Sequence, residues 1–205
     1  MPPGVPLTGW VTMANLTGQT QLLQPLTDAV AVIDEGLEDA LSVLRADRGN
    51  VQLVDPISGS LRIAAQAGFG DEFLEYFAVV NDDDGSACAI AAQQHAQTVI
   101  ADVNADPRYT PHREIAAASG YRAVQSTPLV DVRGHLLGML STHYPYPYRP
   151  PDEALEVMKR LGELIGQAIQ ACLEAEGPEA SLHLEELLGS RAFGSQEADG
   201  QVHVV

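Results

Sequence analysis

The order of the predicted elements indicates an α+β protein built on a central antiparallel sheet. A long amphipathic helix comes first and a second one comes last, and the chain between them holds five strand-like runs, short helices and tight turns. Strands joined by tight turns pair antiparallel, and two long amphipathic helices cover one face of such a sheet. We therefore expect about five or six strands with both terminal helices on one face.

The first half of the chain predicts one helix followed by one hairpin. Apolar residues recur at helical spacing from Leu26 to Leu44. Strand-like runs follow at 50–54 and 61–65, and the Asp-Pro-Ile-Ser-Gly segment between them favours a turn. Residues 1–20 are rich in Pro and Gly, so we expect a flexible arm before a folded domain over 21–175.

The second half alternates short helices with strands and ends in a long helix. Helix caps, prolines and strand alternation give these boundaries. The predicted elements are helices after Asp71 and Ser86, a strand over 97–103, a small helix after Pro111, paired strands over 122–130 and 135–144, and a last helix over 152–175. Residues 176–205 are acidic and polar, and we expect a mobile tail there.

Composition excludes several classes of function. The net charge of −17 argues against nucleic acid or an anionic membrane as a partner, because phosphate binding needs clustered Lys and Arg. No apolar run approaches the roughly 20 residues of a membrane span, and the N-terminal residues lack the pattern of a signal peptide, so we expect none. The two cysteines form neither a disulfide framework nor a CxxC pair. These features predict a cytoplasmic protein with reduced thiols.

Three phrases in this order resemble the GAF domains of bacterial sensor histidine kinases. They are GNVQLVDPISGSLRIAAQAGF, GSACAIAAQQHAQTVIADVNADPRY and YRAVQSTPLVDVRGHLLGMLSTHY, and with the last helix the resemblance covers about residues 26–173. It implies a GAF-like (PAS/profilin-like) sheet, with a small-molecule pocket roofed by short helices and loops on the face opposite the terminal helices. It further implies a sensory module without catalysis of its own. Such a module signals through its terminal helices to a partner protein or within a homodimer.

The resemblance leaves the ligand and any cofactor unidentified. Bilin-binding members attach their chromophore through a cysteine beside a histidine, and neither Cys88 nor Cys172 has a histidine next to it in sequence. Free methionine sulfoxide reductases of this fold use several cysteines, and this sequence has one in the pocket half. A regular metal-ligand spacing is missing from the sequence, and no nucleophile, base and orienting residue can be assigned together.

Cys88 is the first candidate site residue. It lies near the start of the helix after Ser86, where the helix dipole favours a thiolate, which would suit a thiol-based redox sensor or a small redox enzyme. It also lies among alanines, and a free cysteine of that kind is commonly a buried packing residue.

The paired strands supply the polar candidates. Alternation places Ser126 on one face and Gln125 on the other, and it places Leu137 with Met139, Ser141 and His143. We expect the ligand-facing residues of these strands to be Gln125, Ser126, Met139, Ser141 and His143. The alternative is a hydrogen-bonded network that only completes the sheet.

Two further candidates lie in the connections. Asp102 ends a predicted strand, where it either contacts a ligand or fixes a turn. His112 begins the small helix of the predicted roof, where it either contacts a ligand or is exposed. A haem or another chromophore held through His112 or His143 is a further alternative.

Overall fold

The computed structural model describes residues 24–81 and 84–177. The predicted arm over 1–20 lies outside these residues, and so does the predicted tail from residue 178 onward.

The described residues form five α-helices, one 3-10 helix and five strands. In chain order they are α1 (Gln24–Leu44), β1 (Arg48–Val54), β2 (Leu61–Ala67), α2 (Asp71–Tyr76), α3 (Ala87–Gln94), β3 (Thr98–Ile100), the 3-10 helix (Pro107–His112), α4 (Arg113–Ala118), β4 (Ala123–Val130), β5 (Leu136–Tyr144) and α5 (Asp152–Glu176). The sheet has the order β2-β1-β5-β4-β3, and every neighbouring pair is antiparallel. The predicted α+β class and antiparallel sheet are confirmed.

The strand predicted over 97–103 is reduced to Thr98–Ile100. The carbonyl of Ala101 accepts a hydrogen bond from the Tyr148 amide at 2.8 Å, and the Asp102 carboxylate accepts one from the Asn104 amide at 3.0 Å. The chain therefore turns out of the sheet at these residues, although they are strand-like in sequence.

The terminal helices cover one face of the sheet, as predicted. Ile33 and Leu37 of α1 pack with Met158 and Ile165 of α5 and with inward residues of β1, β4 and β5 such as Leu140. Each of these side chains is at most 5% exposed, so this helix face holds one of two apolar cores.

The second core lies on the opposite face, under the short helices. Phe73 of α2, Ala91 of α3 and Tyr109 of the 3-10 helix pack there against residues such as Val124 and Met139 of the sheet. We call residues 71–81 and 84–86 the roof, because α2 and the described residues that follow it lie over this face.

A β-bulge corrects one prediction of alternation. Leu129 pairs with Gly138, whereas Val130 pairs with Leu136, so Leu137 is an extra residue on β5. Leu137 consequently packs on the helix face and not beside Met139.

Two glycines bring α5 onto β4. A Cβ atom at Gly166 would lie 2.3 Å from the Val130 carbonyl oxygen, and one at Gly162 would lie 2.6 Å from the Pro128 carbonyl oxygen. Because these neighbours are backbone atoms, they cannot rotate away as a side chain would. The close contact between α5 and β4 therefore requires glycine at both positions.

We expect Gly166→Ala to lower the free energy of unfolding by about 1–3 kcal/mol, because overpacking against backbone outweighs the better helix propensity of Ala. Urea unfolding measures this change. Gln167→Ala at the adjacent exposed position is the matched control and should change stability by less than about 0.5 kcal/mol. Equal stability of Gly166→Ala and wild type would contradict the close contact.

Candidate functional site

A row of buried polar residues crosses the sheet on the face beneath the roof. Strand pairing places one residue from each strand in register, so that neighbours in the row lie side by side. In order across the sheet these residues are Thr98, Ser126, Ser141, Asn50 and Gln66. Each is at most 5% exposed, which is unusual for a continuous polar set.

Cys88 of α3 lies over the centre of this row. Its Sγ is 3.2 Å from Ser141 Oγ and 3.6 Å from Ser126 Oγ, and the two hydroxyl oxygens are 2.7 Å apart. Burial raises the pKa of the Cys88 thiol, and this effect outweighs the hydrogen bonds from the two serines. The helix dipole therefore does not produce a thiolate here, and the thiol is a neutral member of a hydrogen-bonded triplet.

A cavity lies between the row and the roof. Its volume is about 10 Å³, close to what one water molecule needs. Its apolar lining comes from Phe73, Phe77, Ala87 and Val124, and its polar lining comes from Asn50, Gln52, Ser86, Cys88, Tyr109 and His143. The aromatic side chains of the roof thus occupy most of the space on this face.

Three polar atoms of the lining have no hydrogen-bond partner among the described residues. They are Asn50 Oδ1, Gln52 Oε1 and His143 Nδ1. The three side chains are 1–3% exposed, and a buried polar atom without a partner costs about 1–3 kcal/mol. Since native proteins rarely leave such atoms unpaired, these three are the strongest sign of a binding site.

The His143 ring packs against aromatic rings. Its ring centroid lies 4.7 Å from that of Tyr121 and 4.9 Å from that of Phe69, both in edge-on geometry. Burial, together with the nearby charge of Arg48, lowers the pKa of His143 to about 3. The imidazole is therefore neutral at physiological pH.

The roof is fastened to the 3-10 helix through His112. His112 Nε2 lies 2.8 Å from both the carbonyl oxygen and a carboxylate oxygen of Asp84, and its Nδ1 lies 3.1 Å from the Tyr76 hydroxyl. Burial opposes the charged form, but the contacts with Asp84 prevail and raise the pKa of His112. His112 is thus buried, which differs from the exposed alternative, and it contacts the roof instead of lining the cavity.

Gln125 does not line the cavity, which corrects the prediction that it faces the ligand. Residues adjacent on a strand point to opposite faces, so Gln125 faces the terminal helices while Ser126 faces the roof. Its amide contacts the Thr127 hydroxyl and accepts from the Thr142 hydroxyl at 3.3 Å. Gln97 extends this network to the Leu155 carbonyl of α5 at 2.9 Å. This set therefore ties the sheet to α5.

Asp102 also lies away from the cavity, again in contrast to the prediction. Its carboxylate accepts hydrogen bonds from Arg122 at 2.9 and 3.0 Å, and these contacts hold its pKa below the ordinary value. The side chain is 28% exposed. Asp102 fixes the turn after β3, as in the structural alternative.

Of the residues predicted to contact a ligand, Cys88, Ser126, Met139, Ser141 and His143 lie together on the roof side of the sheet. Asn50 and Gln52 were not predicted. The signal was present in the alternation of polar and apolar residues in NVQLV, which by itself indicates a strand with one face in solvent.

The part of the chain that the structure describes has no group of three or more His, Cys, Asp or Glu side chains arranged to hold a metal ion. Within 24–81 and 84–177, none of the helices has the length and apolar content needed to cross a membrane.

The antiparallel sheet, the helix pair on one face and the roofed cavity on the other define a GAF fold. The chain belongs to the GAF domain family, since the family model for the GAF domain matches residues 28–169. Comparison with curated proteins gives no match.

Solved structures with this fold serve different functions. A domain assigned to a two-component sensor histidine kinase protein of Sinorhizobium meliloti 1021 is 19% identical, with a TM-score of 0.57 over 75% of this chain and 95% of that one. The blue-light absorbing form of the PixJ GAF domain of Thermosynechococcus elongatus is 18% identical, with a TM-score of 0.56 over 82% and 95%. The free methionine-R-sulfoxide reductase of Neisseria meningitidis, solved with its substrate, is 19% identical, with a TM-score of 0.59 over 76% and 89%. At these identities the likeness shows the fold alone.

We expect Cys88 to react slowly with a thiol reagent in the native protein. In the Cys172→Ser variant, Cys88 is the remaining thiol, and its burial and raised pKa both hinder attack on Ellman's reagent at pH 8. Absorbance should rise slowly without denaturant and promptly in urea. The Cys88→Ser variant, which retains Cys172, is the control. Native labelling of Cys88 as fast as in urea would contradict the neutral buried thiol.

We expect His143→Phe to remove part of the loss of stability in acid. The unfolded protein takes up a proton at His143 below pH 6.5, while the folded protein resists it down to about pH 3. This group alone therefore lowers the free energy of unfolding by up to about 1.4 kcal/mol per pH unit within that window. Urea unfolding at several pH values measures the slope. An unchanged slope in His143→Phe would contradict a buried imidazole that stays neutral in the folded protein.

Proposed function

We propose that the protein is a sensory or regulatory GAF module that binds a small molecule beneath its roof and transmits the bound state through α1 and α5. The observation that carries this proposal is the set of three unpartnered polar atoms, on Asn50, Gln52 and His143, that line one cavity. A ligand that carries hydrogen-bond donors supplies these atoms with partners that no described side chain provides, and this favours the bound state.

Binding of anything larger than water requires the roof to move, because the cavity has room for about one water molecule. The roof contacts that would have to break are side-chain contacts, such as that between Tyr76 and His112, and the short bridge between Leu61 and Val80. Movement of the roof leaves the five-stranded sheet and its helix face intact.

The strands connect the two faces. On β1, Asn50 and Gln52 line the cavity, while Val51 and Leu53 between them pack on the helix face. On β5, Tyr144 follows His143 in the chain. Its hydroxyl donates a hydrogen bond of 3.3 Å to the carbonyl of Leu44, the last residue of α1. A shift of β1 or β5 on binding is therefore passed directly to α1.

The output is a partner protein or a second copy of this chain. Leu164 and Val157 of α5 are 64% and 48% exposed, and they are one heptad apart on the outer surface of the helix. We propose a homodimer through this surface. Neither cysteine is in a disulfide bond, which fits the predicted cytoplasmic location.

We propose no catalytic role for Cys88. A redox sensor or a thiol enzyme needs an accessible thiolate, whereas burial raises the pKa of this thiol and two serines engage its sulfur. His112, one of the two histidines considered for haem, is already engaged by Asp84 and Tyr76.

Retention of metabolites by the full chain tests the proposal. Protein equilibrated with a cell metabolite extract is separated by gel filtration, and bound compounds and the oligomer mass are read by native mass spectrometry. We expect a compound that wild type retains and that the near-isosteric double variant Asn50→Leu/Gln52→Met loses.

The same double variant should be more stable than wild type by about 1–3 kcal/mol, because it removes two unpartnered buried oxygens. Unfolding in urea provides this second readout. Identical retention by both proteins, or retention of nothing by either, would refute ligand binding at this cavity.

A further inference from the structure

We infer that the cavity takes an uncharged, planar ligand that carries N–H or O–H donors and displaces the ring of Phe73. This inference rests on the proposed function, because it names the chemical class of ligand for the same cavity.

The donors follow from the atoms that lack partners. Asn50 Oδ1 and Gln52 Oε1 are acceptors only, and His143 Nδ1 offers a third polar contact. Strand pairing places Asn50 opposite Ser141 and Gln52 opposite Met139, which precedes Ser141 by two residues. Asn50 and Gln52 are therefore neighbours on one face of β1, where a ligand with two donors can engage both amide oxygens.

That the ligand is uncharged follows from the residues that line the cavity. None of the residues that line the cavity is Asp, Glu, Lys or Arg. The nearby Arg48 donates to the carbonyl oxygens of Gly68 at 3.1 Å and Gly120 at 3.4 Å, and Asp84 is engaged by His112. Among the lining residues themselves neither a carboxylate nor an ammonium group would find a counter-ion, so desolvation disfavours both.

The planar shape follows from the side chains that fill the space. Phe73 lines the cavity, and its ring stacks on that of Phe69 at a centroid distance of 3.6 Å and an angle of 6°. Phe69 also meets Tyr121 and His143 edge-on. When α2 moves away from the sheet, Phe73 leaves and one face of the Phe69 ring becomes accessible. A planar ligand can stack on that face in place of the Phe73 ring and restores most of the lost contact.

A matched series of small aromatic probes tests the inference on the full chain. Benzamide is neutral with two N–H donors, methyl benzoate is neutral without donors, benzoate is an anion and benzamidine is a cation. Ligand-observed NMR at millimolar concentration measures their dissociation constants. We expect benzamide to bind about tenfold more tightly than methyl benzoate, the ratio for one buried hydrogen bond, and more tightly than both charged probes.

Two variants locate the binding. Asn50→Leu/Gln52→Met should weaken benzamide about tenfold and leave methyl benzoate unchanged. Phe73→Ala opens the space that the ring occupies and should bind benzamide more tightly than wild type does, because no side chain has to be displaced. Since this truncation also costs core stability, its folding is checked by circular dichroism. Should it fail to fold, Phe73→Leu takes its place with the same expected direction.

Preference for benzoate or benzamidine, equal binding of benzamide and methyl benzoate, or no binding of benzamide would overturn the inference. Weaker binding to the folded Phe73 variant would overturn the displacement of that ring. These failures differ from failure of the proposed function. A charged metabolite that wild type retains and Asn50→Leu/Gln52→Met loses would sustain the small-molecule site while refuting the ligand class.

Discussion

Burial of the sheet on both faces is the constraint on which the rest of the structure depends. Neither face of the central strands meets solvent, so each polar side chain on them either finds a partner inside the protein or stays unpaired. The two faces differ in whether their buried polar side chains have hydrogen-bond partners. Beneath the helices, Gln125 and its threonine neighbours have partners, and Gln97 continues the set to α5. Beneath the roof, Asn50, Gln52 and His143 keep unpaired atoms.

The elements and their order could be predicted from the sequence because apolar spacing and turn residues act locally. Ser86 shows this, since its hydroxyl caps α3 as its residue type indicates. Strand alternation also separated Ser126 from Gln125, and the two side chains lie in different networks. Gln52 could not be recognised, because an alternating strand has the same pattern whether its polar face meets solvent or a roof. Only the tertiary structure distinguishes the two cases.

The roof and the sheet respond to acid in opposite senses. Protonation of His112 strengthens its contact with Asp84, so this stabilisation is complete below about pH 6.5 and is lost as pH rises through the raised pKa. His143 adds the reverse effect, because its buried ring resists the proton that the unfolded chain accepts. Mild acid therefore holds the roof closed while it destabilises the strand beneath. His112 favours the closed roof most when it is protonated, through its ion pair with Asp84, whereas His143 favours it when neutral, through its packing against Phe73.

The glycines that bring α5 onto β4 have a consequence for how this helix moves. Gly162 and Gly166 lie near the middle of α5, and both would place a Cβ atom against backbone oxygens of β4. Contact this close blocks sliding along the strand, because the interlocked surfaces have no spare room. The glycine pair therefore couples the middle of α5 to β4, so that a displacement of β4 carries the helix with it.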